Sequence, residues 1–189
     1  MKALTLTQPW ASLMAIGAKK IETRSWRTPY RGSIAIHAAK GFPGEVKRFC
    51  EAEVVCDALG WPRMGAITQA SLNESARLIK SLPVGMVLAT ARLISCIPTR
   101  EIEPEKIIEV DHLAGCGDFE ITEQEYAFGN YDPGRWAWLF ADVKLLPVPD
   151  PVKGALSLWE WDDTAYWTKR KADTAWCRKA WDEIRIVPL

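Results

Sequence analysis

What the sequence lacks narrows it first. No apolar run approaches the ~20 residues that a membrane-spanning helix needs, and Pro9 interrupts the N-terminus before a signal-peptide core develops. The cysteines Cys50, Cys56, Cys96, Cys116 and Cys177 are odd in number and contain no CxxC pair, which argues against a disulfide framework and for reduced, structural thiols. His112 and Cys116 stand four apart, but no second pair has zinc-ligand spacing. No Gly-rich phosphate turn, internal repeat or low-complexity tract is present. These absences predict a cytoplasmic protein with no membrane segment, no metal and no cofactor. They fit one domain with an appendage in 189 residues, 48% of them apolar, enough for a real core.

Net charge is also lacking, at 24 basic against 24 acidic side chains. The distribution is uneven. Residues 1–50 carry nine basic groups against Glu22 and Glu45, whereas residues 51–161 carry nine against 17. The N-terminal segment is a candidate anion-binding surface on a neutral protein, or a merely solvated basic face. Nine acids and one base, Lys106, fall between Glu101 and Glu125. That run reads as a solvated acidic segment, with His112 inside it. The abundant residue is Trp, at 10, a side chain suited to gripping flat rings or partners.

Periodicity and breakers divide the chain. Residues 2–7 (KALTLT), 19–26 (KKIETRSW), 33–39 (SIAIHAA), 84–97, 134–146 (GRWAWLFADVKLL) and 154–161 (GALSLWEW) read as strands. Pro9 stands at the first helical position of a segment ended by Gly17, with Trp10, Leu13, Met14 and Gly17 on one face. Residues 45–59 and 68–82 read as helices, Thr122 and Glu125 as a capping box, Pro147, Pro149 and Pro151 as an extended linker, and 162–186 as a polar, Trp-studded helix. Six strands with interspersed helices suggest a small, closed or nearly closed mixed β-barrel. A doubly wound fold needs regular βα alternation and usually a Gly-rich turn, and neither is present.

The densest cluster of chemistry is Gln8-Pro9-Trp10 followed by Gly17-Ala18-Lys19-Lys20-Ile21-Glu22-Thr23-Arg24. Strand alternation puts Lys20, Glu22 and Arg24 on one face and Lys19, Ile21 and Thr23 on the other. A carboxylate between two cations suits anion binding or a polarised catalytic group, and equally a surface charge ladder.

The pattern Gly17-x-Lys19-x-x-Glu22-x-Arg24 after Gln8-Pro9-Trp10-Ala11 resembles the signature of the ASCH domain family, of the bacterial or phage type. Tyr30-Arg31-Gly32 before a strand ending in His37-Ala38, Leu82-Pro83 before a hydrophobic strand, and Gly134-Arg135-Trp136-Ala137-Trp138 agree. The resemblance covers residues 1–161 and leaves 162–189 as a C-terminal helical extension. It implies an α+β fold: a PUA-like mixed β-barrel with peripheral helices. It also implies a cleft lined by Lys19, Glu22 and Arg24 that takes RNA or a nucleoside or nucleotide. A bend near residues 18–20 is required to bring Lys19 and Glu22 together. Smaller members of the family hydrolyse an amide on an acetylated cytidine with a Thr nucleophile activated by the motif lysine. Glu22 occupies that Thr position here and Thr23 faces away, which counts against acyl transfer through Thr. The further acid of such enzymes has only Glu123 and Glu125 as candidates.

Three readings follow. The first is an RNA- or nucleotide-binding module that uses Gln8, Trp10, Lys19, Lys20, Arg24, Trp26, Arg27, Tyr30 and Arg31. Here Trp26 and Tyr30 interleave with basic residues as stacking partners. The second is a metal-independent hydrolase, an amidohydrolase or ribonuclease, with Lys19, Glu22 and Arg24 as catalytic residues and Glu22 as general base. The third is a protein-interaction module through the Trp-rich helix of residues 162–189. Trp10 divides between core and pocket rim. Trp136, Trp138 and Phe140 read as core, His37 as a structural histidine, and Trp167, Trp176 and Trp181 as helix anchors.

Overall fold

The computed structural model describes residues 1–63, 68–108 and 119–170. In chain order the elements are β1 (Lys2–Leu6), α1 (Trp10–Ala15), β2 (Ile21–Arg24), β3 (Gly32–Ala38), α2 (Gly44–Phe49), α3 (Glu53–Ala58), α4 (Gln69–Ser81) and β4 (Met86–Pro98). There follow β5 (Ile107–Ile108), β6 (Phe119–Glu120), α5 (Glu123–Ala127), β7 (Trp136–Pro151), β8 (Leu158–Glu160) and α6 (Asp163–Arg170). The main sheet has the order β2-β7-β4-β3-β1-β8. Among the described residues only β1 and β3 pair in parallel. Register shifts interrupt the β4–β7 ladder at Val87/Ala89, Thr90/Arg92 and Leu93/Ser95. Each bulge bends the strands and adds twist, so the sheet curls. The result is a half-barrel rather than a closed one, because β2 and β8 end the sheet without pairing to each other. The mixed α+β, PUA-like architecture with peripheral helices stands.

The core explains the curl. Along β7, Ala137, Trp138, Leu139 and Phe140 are all fully buried, the continuous apolar run of a strand covered on both faces. Trp138 and Phe140 join Leu4, Ile34, Ile36, Leu88 and Leu93 inside the half-barrel, plugged by Ala11, Met14 and Ala15 of α1. Ala137 and Leu139 point the other way, onto Ile21, Ile102, Phe119 and Ile121. α1 also sends Leu13 into a second cluster with Val55, Leu59, Leu78 and Phe128, so it lies between sheet and helices. The helix ends where Gly17 takes φ +79, a left-handed residue after the last turn.

Several expectations are corrected. Residues 45–59 form two short helices, with α2 ending at Phe49 and α3 starting at Glu53 after extended Ala52. Pro147, Pro149 and Pro151 lie inside β7 and do not form a linker. Val87 pairs with Asp150 and Ala89 with Leu145. The intervening residues of β7 therefore bulge where no ladder N–H is needed, a position proline tolerates. In α6 the buried anchor is Tyr166, whereas Trp167 is exposed. Trp176 and Trp181 lie outside the described residues. Thr68, read as the first helical residue, instead caps α4 with a reciprocal Ser71 bond, and the helix starts at Gln69.

Trp138 has no exposed surface, its ring meets Trp26 edge-on at 4.6 Å, and its Nε1 donates to the Trp26 carbonyl at 3.3 Å. Trp138→Ala is expected to lower unfolding free energy by about 3–5 kcal/mol in urea denaturation. Trp167→Ala, on a side chain 40% exposed, is expected to change it by no more than about 0.5 kcal/mol.

Candidate functional site

β2 is the edge strand that carries the charged motif. It pairs only with β7, in unbroken register from Ile21↔Leu139 to Arg24↔Trp136. Alternation holds: Ile21 and Thr23 are buried, and Glu22 and Arg24 are half-buried. Arg24 Nε lies 3.2 Å from Glu22 Oε1, an ion pair with side chains 27% and 14% exposed. Arg24 Nη2 donates to the Thr5 carbonyl at 2.8 Å. Thr5 lies one residue past the β1–β8 pairing, which ends at Leu4↔Leu158. The guanidinium therefore occupies a carbonyl on the open side of the half-barrel, linking β2 to β1.

Lys19 takes the opposite course. Its side chain is 1% exposed, and its ammonium lies 3.8 Å from Glu125 Oε1 and donates to the Phe128 carbonyl at 3.2 Å. Glu125 is buried at the first turn of α5, where Thr122 accepts from its N–H; the predicted capping box is only half formed, because the Glu125 carboxylate turns to β2 instead. The Glu125 carboxylate also accepts the backbone N–H groups of Lys20 at 2.5 Å and Ile21 at 3.0 Å. Burial pushes the Glu125 carboxyl above its usual range, against the opposing pull of Lys19 and the two N–H donors. Trp10 Nε1 shares the Phe128 carbonyl at 2.8 Å. One carbonyl thus ties Lys19 and Trp10 to the end of α5.

Above this floor lies a cleft of about 390 Å³. Its walls include Trp10, Trp26 and Phe49, and its polar groups include Glu22, Arg24, Asn130 and Arg135. Trp10 and Phe49 stack at 5.2 Å with an interplanar angle of 17°. Arg135 Nη2 donates to the Thr23 carbonyl at 3.0 Å. Neither Arg24 Nε nor Arg135 Nε has a hydrogen-bond partner. The Glu22 contact is an ion pair without hydrogen-bond alignment. Each guanidinium makes one hydrogen bond to the protein among the described residues, which leaves most of its fork of donors available. Two cations, one carboxylate and apolar ring faces can hold an anionic group beside a flat ring.

Of the residues singled out in the sequence, Trp10, Glu22, Arg24 and Trp26 line this cleft. The others lie elsewhere. Gln8 is fully buried, donating to the Pro83 carbonyl and accepting from Ser12 N–H, so its amide has no face to offer a ligand. Lys19 is beneath the floor, and no bend brings it to the Glu22 side. Lys20 is exposed outside the cleft. Arg27 sits over Trp136, Tyr30 donates to the Ser33 carbonyl, and Arg31 folds back on the Thr28 and Tyr30 carbonyls. Arg135, Phe49 and residues 127–130 were not assigned to the site from sequence. Arg135 had a signal, a lone cation opening an apolar strand. Phe49 is placed by the tertiary fold alone.

No group of three or more metal-ligating side chains occurs among the described residues. His37 is buried, with Nε2 3.0 Å from the Val152 carbonyl and its pKa lowered by burial. Cys50, Cys56 and Cys96 are buried and unpaired, and burial pushes the Cys50 thiol up to about 12. His112, Cys116 and Cys177 lie outside the described residues. No helix among the described residues is long and apolar enough to cross a membrane.

The ASCH domain profile matches residues 4–145. Two curated relatives are the proteins named activating signal cointegrator 1 of Homo sapiens and Mus musculus. The human protein is 24% identical over 170 residues, and the mouse protein 25% over 168. Each alignment covers 89% of this chain but 23% of the relative, so the chain spans about a quarter of their length.

Removing Lys19 leaves Glu125 as an unpaired buried charge. Lys19→Met is expected to cost about 3–5 kcal/mol of stability at neutral pH. Glu125 binds a proton more readily folded than unfolded. The loss therefore shrinks as pH falls from neutrality through the raised Glu125 pKa towards the ordinary carboxylate range. Urea denaturation at pH about 5.5 and about 8 checks this. An equal loss at both would contradict it.

Proposed function

This chain belongs to the ASCH domain family, and on that premise we propose that the cleft between β2 and the end of α5 binds RNA or a nucleotide. The observation that carries the reading is the pair of guanidiniums, Arg24 and Arg135, each placed by one backbone carbonyl and lining a cleft walled by Trp10, Trp26 and Phe49. The other donors of each guanidinium fork suit a phosphate oxygen. The Trp10 and Trp26 rings are held in advance, by Phe49 and the Phe128 carbonyl for Trp10 and by Trp138 for Trp26. A base stacks on such a surface with little ordering cost. Glu22 is fixed by Arg24 and can accept from a base N–H or a ribose hydroxyl.

Binding is favoured over hydrolysis for a geometric reason. The hydrolytic scheme sets Glu22 as base with Lys19 or Arg24 as the cation at one reacting atom, and Arg24 is already engaged with Glu22 itself and the Thr5 carbonyl. Lys19 is 1% exposed and engaged with Glu125 and Phe128, so it cannot meet a substrate held against Glu22. For the docking reading of residues 162–189, residues 171–189 lie outside the described residues.

Tryptophan-fluorescence titration with a 5′-mononucleotide tests the reading. Arg24→Ala and Arg135→Ala are each expected to weaken binding about 10- to 100-fold, the worth of a charge-assisted hydrogen bond. Glu22→Gln is expected to retain measurable binding. Unchanged affinity in both arginine variants would refute the site, and turnover of an RNA or acetylated nucleoside abolished by Glu22→Gln would restore the hydrolase.

A further inference from the structure

The cleft does not end at Trp26. Thr7, Arg24 and Trp26 also line a smaller depression of about 160 Å³ that continues over Leu4, Thr5, Ala39 and Leu156. Thr5, Ala39, Ala155 and Leu156 in turn line a basin of about 820 Å³ flanked by Lys40 and Lys153. Lys40 and Val84 then pass into a further groove of about 380 Å³ that carries Lys47 and Lys80. Each hollow shares lining residues with the next, so the four adjoin one another as a shallow channel that ends between α2 and α4.

Six cations and two acids line it. Arg135 and Arg24 stand at the cleft end, Lys40 and Lys153 at the basin, and Lys47 and Lys80 at the far end. The acids lining it are Glu22, paired with Arg24, and Glu51, which accepts from Ser75. No acid lines the small depression or the basin. Lys40 and Lys153 are exposed and make no ion pair among the described residues. Between these cations the lining is apolar. It includes Val84, Val152 and Leu156, the last 93% exposed.

A row of cations with apolar and ring surface between them matches the repeat of a single nucleic-acid strand, alternating phosphate with sugar and base. A duplex keeps its bases stacked inside and presents phosphates on a convex surface, so it cannot follow a sunken channel. We propose that a single-stranded nucleic acid runs along this channel, seating one nucleotide in the cleft and carrying its backbone past Lys40 and Lys153. The proposal rests on the cleft reading above and extends it from one nucleotide to a strand. Gly154 belongs to the wall: a Cβ there would run into the His37 ring and the Thr5 hydroxyl, so the basin keeps its shape only with glycine. Thr5 Oγ1 donates to the Ala155 carbonyl and accepts from Trp159 Nε1, both at 3.0 Å, and these bonds fix the loop that carries Lys153.

The test compares the full chain and Lys40→Ala/Lys153→Ala against three probes. These are a 5′-mononucleotide, an unstructured eight-nucleotide RNA and a 12-base-pair RNA duplex. The wild type is expected to bind the eight-mer more tightly than either other probe. With four phosphate-contacting cations, the log–log salt slope for the eight-mer is expected to be about −2.8. The double variant is expected to melt like the wild type and to keep mononucleotide affinity. It should lose about 10-fold or more for the eight-mer, with the slope reduced in magnitude by about 1.4. An eight-mer bound no better than the mononucleotide overturns the channel while leaving the cleft intact. So does a double variant with unchanged eight-mer affinity and slope, or a duplex that binds as tightly. Failure of the wild type to bind any probe removes the cleft reading and the channel together.

Discussion

The site depends on one buried ion pair. Lys19 and Glu125 come from opposite ends of the fold, one from the turn after α1 and the other from α5. Neither ion is tolerable in the interior alone. Together they organise everything around them. Glu125 holds the backbone N–H groups at the start of β2, and Lys19 holds the carbonyl that closes α5. That carbonyl also receives the Trp10 indole. Edge-strand orientation, α5 position and the angle of one cleft wall are thereby set by a single cluster. The cluster has almost no solvent contact, so salt and ligands cannot compete with it directly.

The cations of this protein consequently fall into two kinds. Lys19 is consumed by the fold. Arg24 serves the fold with one arm, reaching the carbonyl of Thr5 that β8 leaves unpaired, and keeps its remaining donors for the cleft. Arg135 does the same through Thr23. Lys40 and Lys153 make no ion pair among the described residues. This gradation matters for recognition. Cations already placed by backbone contacts lose little freedom on binding and confer geometry, whereas free lysines confer salt-dependent attraction without fixed geometry.

Local signals in the sequence survive into the structure where local physics decides them. The strands around Leu4, Ile36 and Leu88, the Thr122 cap, and the glycine stop at Gly17 follow from side-chain alternation, capping chemistry and backbone freedom. The Glu22–Arg24 pair followed from strand alternation as well. What was not legible is set by partners distant in sequence. A buried Lys19 or Gln8 is written in the same letters as a surface one, and only Glu125, Phe128, Pro83 and Ser12 reveal the difference. Prolines 147, 149 and 151 looked like a linker, because nothing local announces a bulge whose partner is β4. Phe49 enters the cleft because α2 packs beside α1. The +7 balance of residues 1–50 includes Arg24, which lines the cleft. It did not separate cations engaged with the fold from those available to a ligand.

The most direct measurement is the NMR spectrum of the arginine Nε–H and tryptophan Nε1–H groups during titration with a short single-stranded RNA. The account predicts that the Arg24 and Arg135 Nε–H signals move together with the Trp10 and Trp26 indoles, while the buried Trp138 indole moves far less. Perturbation confined to Arg27, Arg31 and Trp136, with Arg24 and Arg135 unmoved, would place the ligand on the loop before β3 and contradict the cleft.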